Sequence, residues 1–336
     1  MSGTLFLLLA AIVLIYYAAE FFTNALEHLG ERMGVSEGVT GSIFAAIGTA
    51  MPETIVPIVA ILGGGDDTAR NHEIGMGAIL GAPFMLATVA IFLVALAAGI
   101  RRGWGDPLSP EPGGLRRDLS FFLTAYGLVL VAALIPHHWR LGALFVAIAL
   151  FCLYLLYLTL TILASSALVD AGHATEAEGP LHLARYLGDH TAVAAIQLLV
   201  ALLVLIAGAR LFVHGVELVS AAIGIAPMVV ALLLAPVATE LPEKVNSMMW
   251  TARGRDTLAF GNLTGAMVFQ GSVIPAIAIL IMPWRIDSPY AVLAAVLAVA
   301  GALWLVLLQH LRAMTPRALL LNGLLYAAFI FFVVSS

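Results

Sequence analysis

Residues 48–53 read Gly48-Thr49-Ala50-Met51-Pro52-Glu53, and residues 238–243 read Ala238-Thr239-Glu240-Leu241-Pro242-Glu243. Both blocks carry Thr-x-x-Pro-Glu, and each lies inside an apolar run. The offset that superposes Thr49 on Thr239 also superposes Ala19 on Ala209, Phe22 on Phe212, Glu27 on Glu217, Gly34 on Gly224 and Val39 on Val229. A slightly shorter offset, forced by a longer loop at 63–73 in the first half, brings Gly77 onto Gly261, Gly81 onto Gly265 and Ala82 onto Ala266. Chance matches of Ala, Val and Phe are common in apolar sequence, but a proline and two polar residues in register are not. The two halves are expected to be duplicates.

The surrounding chain belongs in a bilayer. Of its 336 residues 62% are hydrophobic and only 10% charged, against about a quarter charged in ordinary soluble domains. A water-exposed globule of this composition would lack polar surface to cover its core. A formal net charge of −5 leaves no basic field for gathering phosphates, so nucleic acid is not an expected partner. The lone cysteine, Cys152, excludes an intrachain disulfide and any cysteine-built metal site.

A membrane helix needs roughly 20 apolar residues, and ten segments qualify by eye: about 4–27, 35–62, 74–99, 118–135, 140–164, 191–216, 225–250, 257–282, 289–310 and 317–335. Stretches such as 141–163 and 291–308 are apolar on every side, unlike the alternating strands of a porin. The expected fold class is therefore an all-α integral membrane protein. The first segment lacks the basic start of a signal peptide. Arg32, Arg101, Arg102, Arg116, Arg117, Arg185, Arg253, Arg255, Arg312 and Arg317 fall on one side, and only Arg70, Arg140 and Arg285 on the other. The positive-inside rule then places both termini outside the cytoplasm, as expected for a plasma (inner) membrane protein of bacterial type.

The longest polar connection divides the chain into a first five-helix repeat at 1–164, a cytoplasmic linker at 165–189 and a second repeat at 190–336. Asp170, His173, Glu176, Glu178 and His182 in that linker resemble a metal patch, but a solvated, flexible linker is the expectation because nothing nearby fixes ligand geometry. An odd number of spans per copy makes the second copy enter the membrane from the opposite face. Inverted repeats of this kind bind ions near the midplane, between broken helices, which would set Glu53 opposite Glu243.

Proline has no N–H and clashes with the carbonyl four residues earlier. Pro52 thus frees the carbonyl of Gly48 and disturbs that of Thr49, and Pro242 acts likewise on Ala238 and Thr239. Each copy offers carbonyls, a threonine hydroxyl and a carboxylate within a helical turn. Calcium takes six to eight such oxygens, and two carboxylates cancel one divalent charge. Glu20 and Arg210 occupy repeat-related places and are expected to pair; His214 is expected to be a core histidine.

The two Thr-x-x-Pro-Glu blocks resemble the Gly-Thr-Ser-x-Pro-Glu signatures of the sodium/calcium exchangers, in the calcium/cation antiporter superfamily. Residues 77–86 and Gly261-Asn262-Leu263-Thr264-Gly265-Ala266-Met267-Val268-Phe269-Gln270 are similar to the Gly-Asn-x-x-Gly-Ser-Asn-x-Phe-Asn/Asp signatures that follow them. The resemblance implies Glu53 and Glu243 as central divalent-ion ligands and the Thr49 and Thr239 carbonyls as further ones. Glu240 and Gln270 join the candidate metal ligands. It also implies broken helices at the second, third, seventh and eighth spans, with the first and sixth sliding past them during alternating access. Family serines that serve sodium are replaced here by Ala50, Glu240, Ala82 and Ala266, and the last signature residue by Leu86 and Gln270.

In place of those serines stands a charge pair, Glu240 and Lys244, four apart on one helix. Either Lys244 neutralises Glu240, leaving a two-glutamate site, or Glu240 is a proton carrier. The expected function is antiport of a divalent cation, calcium foremost, against H⁺ or Na⁺, with H⁺ favoured because the sodium serines are missing. A monovalent Na⁺/H⁺ antiporter is the alternative. No cofactor is expected, and an intramembrane enzyme is disfavoured because no His-Glu-x-x-His occurs. A non-transporting scaffold would not need symmetric buried carboxylates.

Overall fold

The buried side chains of helix α1 (Ser2–Arg32) recur at alternating three- and four-residue steps: Leu8, Ala11, Ile15, Ala18, Phe22 and Ala25. A matching stripe runs along α7 (Thr191–Ile223), through Ala194, Gln197, Ala201, Leu205, Gly208, Phe212 and Gly215. Such spacing is that of a coiled-coil seam, and the two helices pack along it. Small residues set the distance: a Cβ added at Gly208 would stand 3.0 Å from Ile15, and one at Gly215 would stand 3.0 Å from Leu8. The outward face of α1 is equally apolar, with Phe6 74% exposed. Large apolar side chains turned outward in rows suit lipid rather than water.

The computed structural model describes residues 2–32, 45–63, 67–136, 138–169 and 179–335. Two compact units divide the chain. The first takes Met1–Gly75, Thr159–Val230 and Val237–Thr239, and the second Met76–Leu158, Ala231–Pro236 and Glu240–Ser336. Each draws on both halves of the sequence.

In the first unit α2 (Ala45–Leu62) packs on α1 and α7. Two buried amides tie the chain that enters α7. Gln197 donates to the Phe21 carbonyl and to Asn24 Oδ1, both at 3.0 Å, and its own Oε1 accepts the Leu183 N–H at 2.9 Å. Asn24 donates to the Pro180 carbonyl and accepts the His182 N–H. Leu181 joins Ala25, Val193 and Ala194 in a small core. The described end of the linker is thus anchored, not a free solvated chain, because its backbone N–H groups find partners on α1 and α7. Asp170, His173, Glu176 and Glu178 lie outside the described residues.

Two side-chain expectations change. Glu20 lies 3.7 Å from His182, and Arg210 is exposed without an ion pair among the described residues. Their helices pack through the seam, which turns both charged side chains away from it. His214 is exposed as well, 3.6 Å from Glu217 one turn on.

The second unit is built around two interrupted helices. Helix α3 (Thr68–Met85), whose first turns belong to the first unit, passes through a π-helical turn (Leu86–Ala90) into α4 (Ile91–Arg101). After α5 (Pro112–Ala132) and α6 (Arg140–Val169), the chain returns through α8 (Pro227–Thr239) and α9 (Leu241–Ala252). Helix α10 (Asp256–Gln270) then breaks at Gly271 and Ser272 before α11 (Val273–Ile281). The offset that superposes Gly77 on Gly261 also superposes Thr88 on Ser272 and Phe84 on Val268. Thr88 donates to the Phe84 carbonyl at 2.6 Å, and Ser272 to the Val268 carbonyl at 2.5 Å. Both irregularities therefore sit at equivalent places, each with a hydroxyl bonded back one turn. Helices α12 (Pro289–His310) and α13 (Pro316–Ser335) complete the unit.

Among the described residues seven helices are long and apolar enough to cross a membrane: Gly3–Leu29, Thr68–Arg101, Arg140–Ala164, Thr191–Ile223, Asp256–Ile281, Pro289–His310 and Pro316–Ser335. The other three expected spans also carry helix. One is α2, only part of whose expected range is described; one is α5, with Arg116, Arg117 and Asp118 near its start; and the seventh is split at Glu240.

Candidate functional site

Helix α8 ends at Thr239 and α9 starts at Leu241, leaving Glu240 between them at φ −107° and ψ 13°. Pro242 falls in the first turn of α9, where a missing N–H costs nothing. The first copy behaves differently. Helix α2 runs unbroken through Pro52 and Pro57, since a proline removes one intrahelical bond and bends a helix more readily than it ends it. The break expected in the second span is thus absent over Ala45–Leu62.

Glu240 is fully buried. Its Oε2 accepts a hydrogen bond from Lys244 Nζ at 2.8 Å, and the same Nζ donates to the Pro236 carbonyl at 2.9 Å. That carbonyl also takes the Glu240 N–H at 3.1 Å. Glu243, 8% exposed, stands in the first turn of α9 and within electrostatic range of both Glu240 and Lys244. Gln270, 3% exposed, closes α10 with its amide beside Glu240. Glu240 Oε1, Glu243 Oε2 and Gln270 Oε1 are buried and accept no hydrogen bond among the described residues. A buried acceptor without a donor costs about 1–3 kcal/mol, and more when charged.

Asn262, from the second signature, fixes this corner. Its Nδ2 donates to the Glu243 carbonyl at 3.2 Å and to the Ser247 hydroxyl at 3.1 Å, tying α10 to α9. The repeat-related residue of the first copy is Ala78, which has no such bond to offer. Lys244 is matched there by Thr54, whose hydroxyl donates to the Ala50 carbonyl at 2.7 Å. The backward reach of one turn is shared, and the charge pair is not.

The structure thus gathers Glu240, Glu243, Lys244 and Gln270 in the second unit. Glu53, 4% exposed, lies on α2 in the first unit, and Thr239 is buried at the end of α8. The Thr49 side chain lies outside the described residues. Among those described, no three His, Cys, Asp or Glu side chains converge as a metal cluster, so carbonyl and amide oxygens would have to complete any ion's shell. Ala82 is buried and, like Ala266, offers no side-chain oxygen; Leu86 is fully buried.

Two buried acids, Asp118 and Asp256, were not singled out by the sequence. Asp118 on α5 accepts from Tyr157 at 3.0 Å and from Thr264, in the second signature, at 2.6 Å. An ionisable residue in an apolar segment was the available signal. Asn322 on α13 holds the π turn in a comparable way, donating to the Ala87 carbonyl at 2.7 Å.

Known proteins agree with this architecture. The pattern of the family described as "Sodium/calcium exchanger protein" matches residues 3–163 and 193–335. The chain is 25% identical to the putative antiporter CaxA of Alkalimonas amylolytica, over 86% of this chain and 84% of that one. It is also 25% identical to the inner membrane protein YrbG of Escherichia coli K12, over 84% and 81% of the two chains. Its fold is similar to the crystal structure of the H⁺/Ca²⁺ exchanger CAX, at a TM-score of 0.72 and 18% identity, covering 98% of this chain and 82% of that one. With the family pattern running through both halves, the chain belongs to the sodium/calcium exchanger family, and is an integral membrane cation transporter rather than an enzyme.

Proposed function

We propose that the protein exchanges a divalent cation, Ca²⁺ foremost, for H⁺ by alternating access, within a fold of ten spans arranged as two inverted repeats of five. The observation that carries this reading is the set of buried acceptor oxygens at Glu240, Glu243 and Gln270, carried where the seventh and eighth spans break. In a low-dielectric surrounding such oxygens need a cation or a proton. Glu53 and Glu243 are the carboxylates that trade one divalent ion for protons, with Thr49 and Thr239 carbonyls, Glu240 and Gln270 as further ligands. The 2.8 Å contact of Lys244 with Glu240 Oε2 supports the reading in which Lys244 neutralises the charge of Glu240, whose Oε1 takes no hydrogen bond among the described residues and remains for the ion as a neutralised ligand. H⁺ is favoured over Na⁺ because Ala50, Ala82 and Ala266 supply no side-chain oxygen to a monovalent ion.

The test is Ca²⁺ flux in proteoliposomes with the membrane voltage clamped, comparing a pH gradient without sodium to a sodium gradient at fixed pH. Flux under the pH gradient alone is expected, and Glu53→Gln and Glu243→Gln should each abolish it. Flux only with sodium would overturn proton coupling. Sodium and H⁺ exchanging without Ca²⁺ would replace the divalent reading with the monovalent one.

A further inference from the structure

A lysine buried beside a carboxylate one turn away is ordinarily a structural ion pair. Three features of this one go further. Its ammonium sits on the oxygens left at a helix break: the Pro236 carbonyl, already shared with the Glu240 N–H, and Glu240 Oε2. Beside the Glu240–Lys244 pair lie three more buried acceptors that take no hydrogen bond among the described residues, Glu240 Oε1, Glu243 Oε2 and Gln270 Oε1. The matched position of the other copy holds the neutral Thr54. An ammonium is a compact point charge, and here it is held by a carbonyl and a carboxylate, oxygens that equally suit a small monovalent metal ion.

We propose that the Lys244 ammonium is a tethered stand-in for a monovalent cation, filling an oxygen site at Pro236 and Glu240 that would otherwise bind Na⁺. The proposal rests on the exchanger reading above and deepens it by giving the reason why sodium is not a substrate. When Glu240 and Glu243 are both ionised, Lys244 returns one of their two charges without an ion being drawn from solution. Removing the lysine takes the donor from Glu240 Oε2 and one of the two donors from the Pro236 carbonyl, beside the open acceptors of Glu240, Glu243 and Gln270. A small cation from solution takes that place.

The experiment uses the full chain, purified in detergent, and follows thermal unfolding in NaCl against choline chloride at equal ionic strength, with and without CaCl₂. Wild type is expected to be stabilised by Ca²⁺ and unaffected by Na⁺. Lys244→Met should gain stabilisation by millimolar Na⁺, and Na⁺ should then raise the Ca²⁺ midpoint at least tenfold. Glu240→Gln combined with Lys244→Met should lose the sodium response again. Should Lys244→Met not fold, Lys244→Thr carries the residue found at the matched position and is read in the same way. A folded, Ca²⁺-stabilised Lys244 variant that ignores Na⁺ overturns the proposal, as does wild type already as sodium-sensitive as the variant. A wild type blind to Ca²⁺ would instead overturn the exchanger reading, with the sodium comparison between wild type and variant still deciding the role of Lys244.

Discussion

At the scale of single residues, the site depends on small side chains that hold larger ones. Asn262 contributes no charge, yet its two bonds fix the Glu243 carbonyl and the Ser247 hydroxyl on the same side of α9. Asn262→Ala should leave the protein folded and raise the Ca²⁺ concentration for half-maximal flux about tenfold, the cost of roughly one hydrogen bond to a buried group. Unchanged Ca²⁺ dependence would make Asn262 a packing residue only. Tyr157→Phe tests the other polar junction. Losing the bond to Asp118 should lower unfolding stability by about 1–2 kcal/mol, visible as an earlier thermal transition. The burial of Glu53 and Glu243 was legible in the sequence, because duplication marks both carboxylates inside apolar runs at once. The partners of Lys244 and Asp118 were only half legible. Spacing offered Glu240 to Lys244, but the Pro236 carbonyl becomes available only through the helix break, and Asp118 meets Tyr157 and Thr264 from distant parts of the chain.

At the scale of elements, the interruptions do the positioning. The π turn after α3 and the break after α10 occupy equivalent places, and polar side chains from α5 and α13 hold the helices that carry them. Gly81 lets α3 approach α8 closely, since a Cβ there would stand 2.2 Å from the Leu232 carbonyl oxygen. That obstacle is backbone and cannot rotate away. Gly81→Ala should therefore destabilise the protein by about 1–3 kcal/mol. Gly261→Ala, where a Cβ meets nothing within 4 Å, should be neutral or stabilising by up to about 1 kcal/mol. Paired melting curves of the two variants check the contrast, and equal shifts would contradict it. Hydropathy located the seven helices that are long and apolar enough to cross a membrane among the described residues. It was silent on where a helix breaks, because Pro52 and Pro242 look alike in sequence while only the second copy interrupts its helix at the preceding turn.

At the scale of the whole molecule, one arginine joins four segments of the second unit. Arg102, at the end of α4, donates to Asp106 at 2.8 Å, to Asp256 at 2.6 Å, to the Thr251 carbonyl at 3.2 Å and to the Pro107 carbonyl at 3.2 Å. Asp256 also accepts the Ser109 N–H. The bond to Asp256 raises the Arg102 guanidinium further above its already high pKa, so it stays charged at every working pH. Arg102→Ala strands the buried Asp256 carboxylate and should cost about 3–5 kcal/mol. Denaturation in mild detergent should show it, with Asp256→Asn costing less because no charge is left behind. The sequence assigned Arg102 only to the count that orients the chain; its anchoring role needs the turn between α9 and α10 brought against the end of α4.

The seam between α1 and α7 has a mechanical corollary. At 31 and 33 residues, and about 1.5 Å per residue, the two helices are each longer than the roughly 30 Å hydrocarbon layer. Two rods fixed together along their length resist bending far more than the same rods side by side and free to slip, because each must stretch or compress for the other to curve. The α1–α7 pair therefore behaves as a single beam: a force applied at one membrane face reaches the other with little lost to flexure.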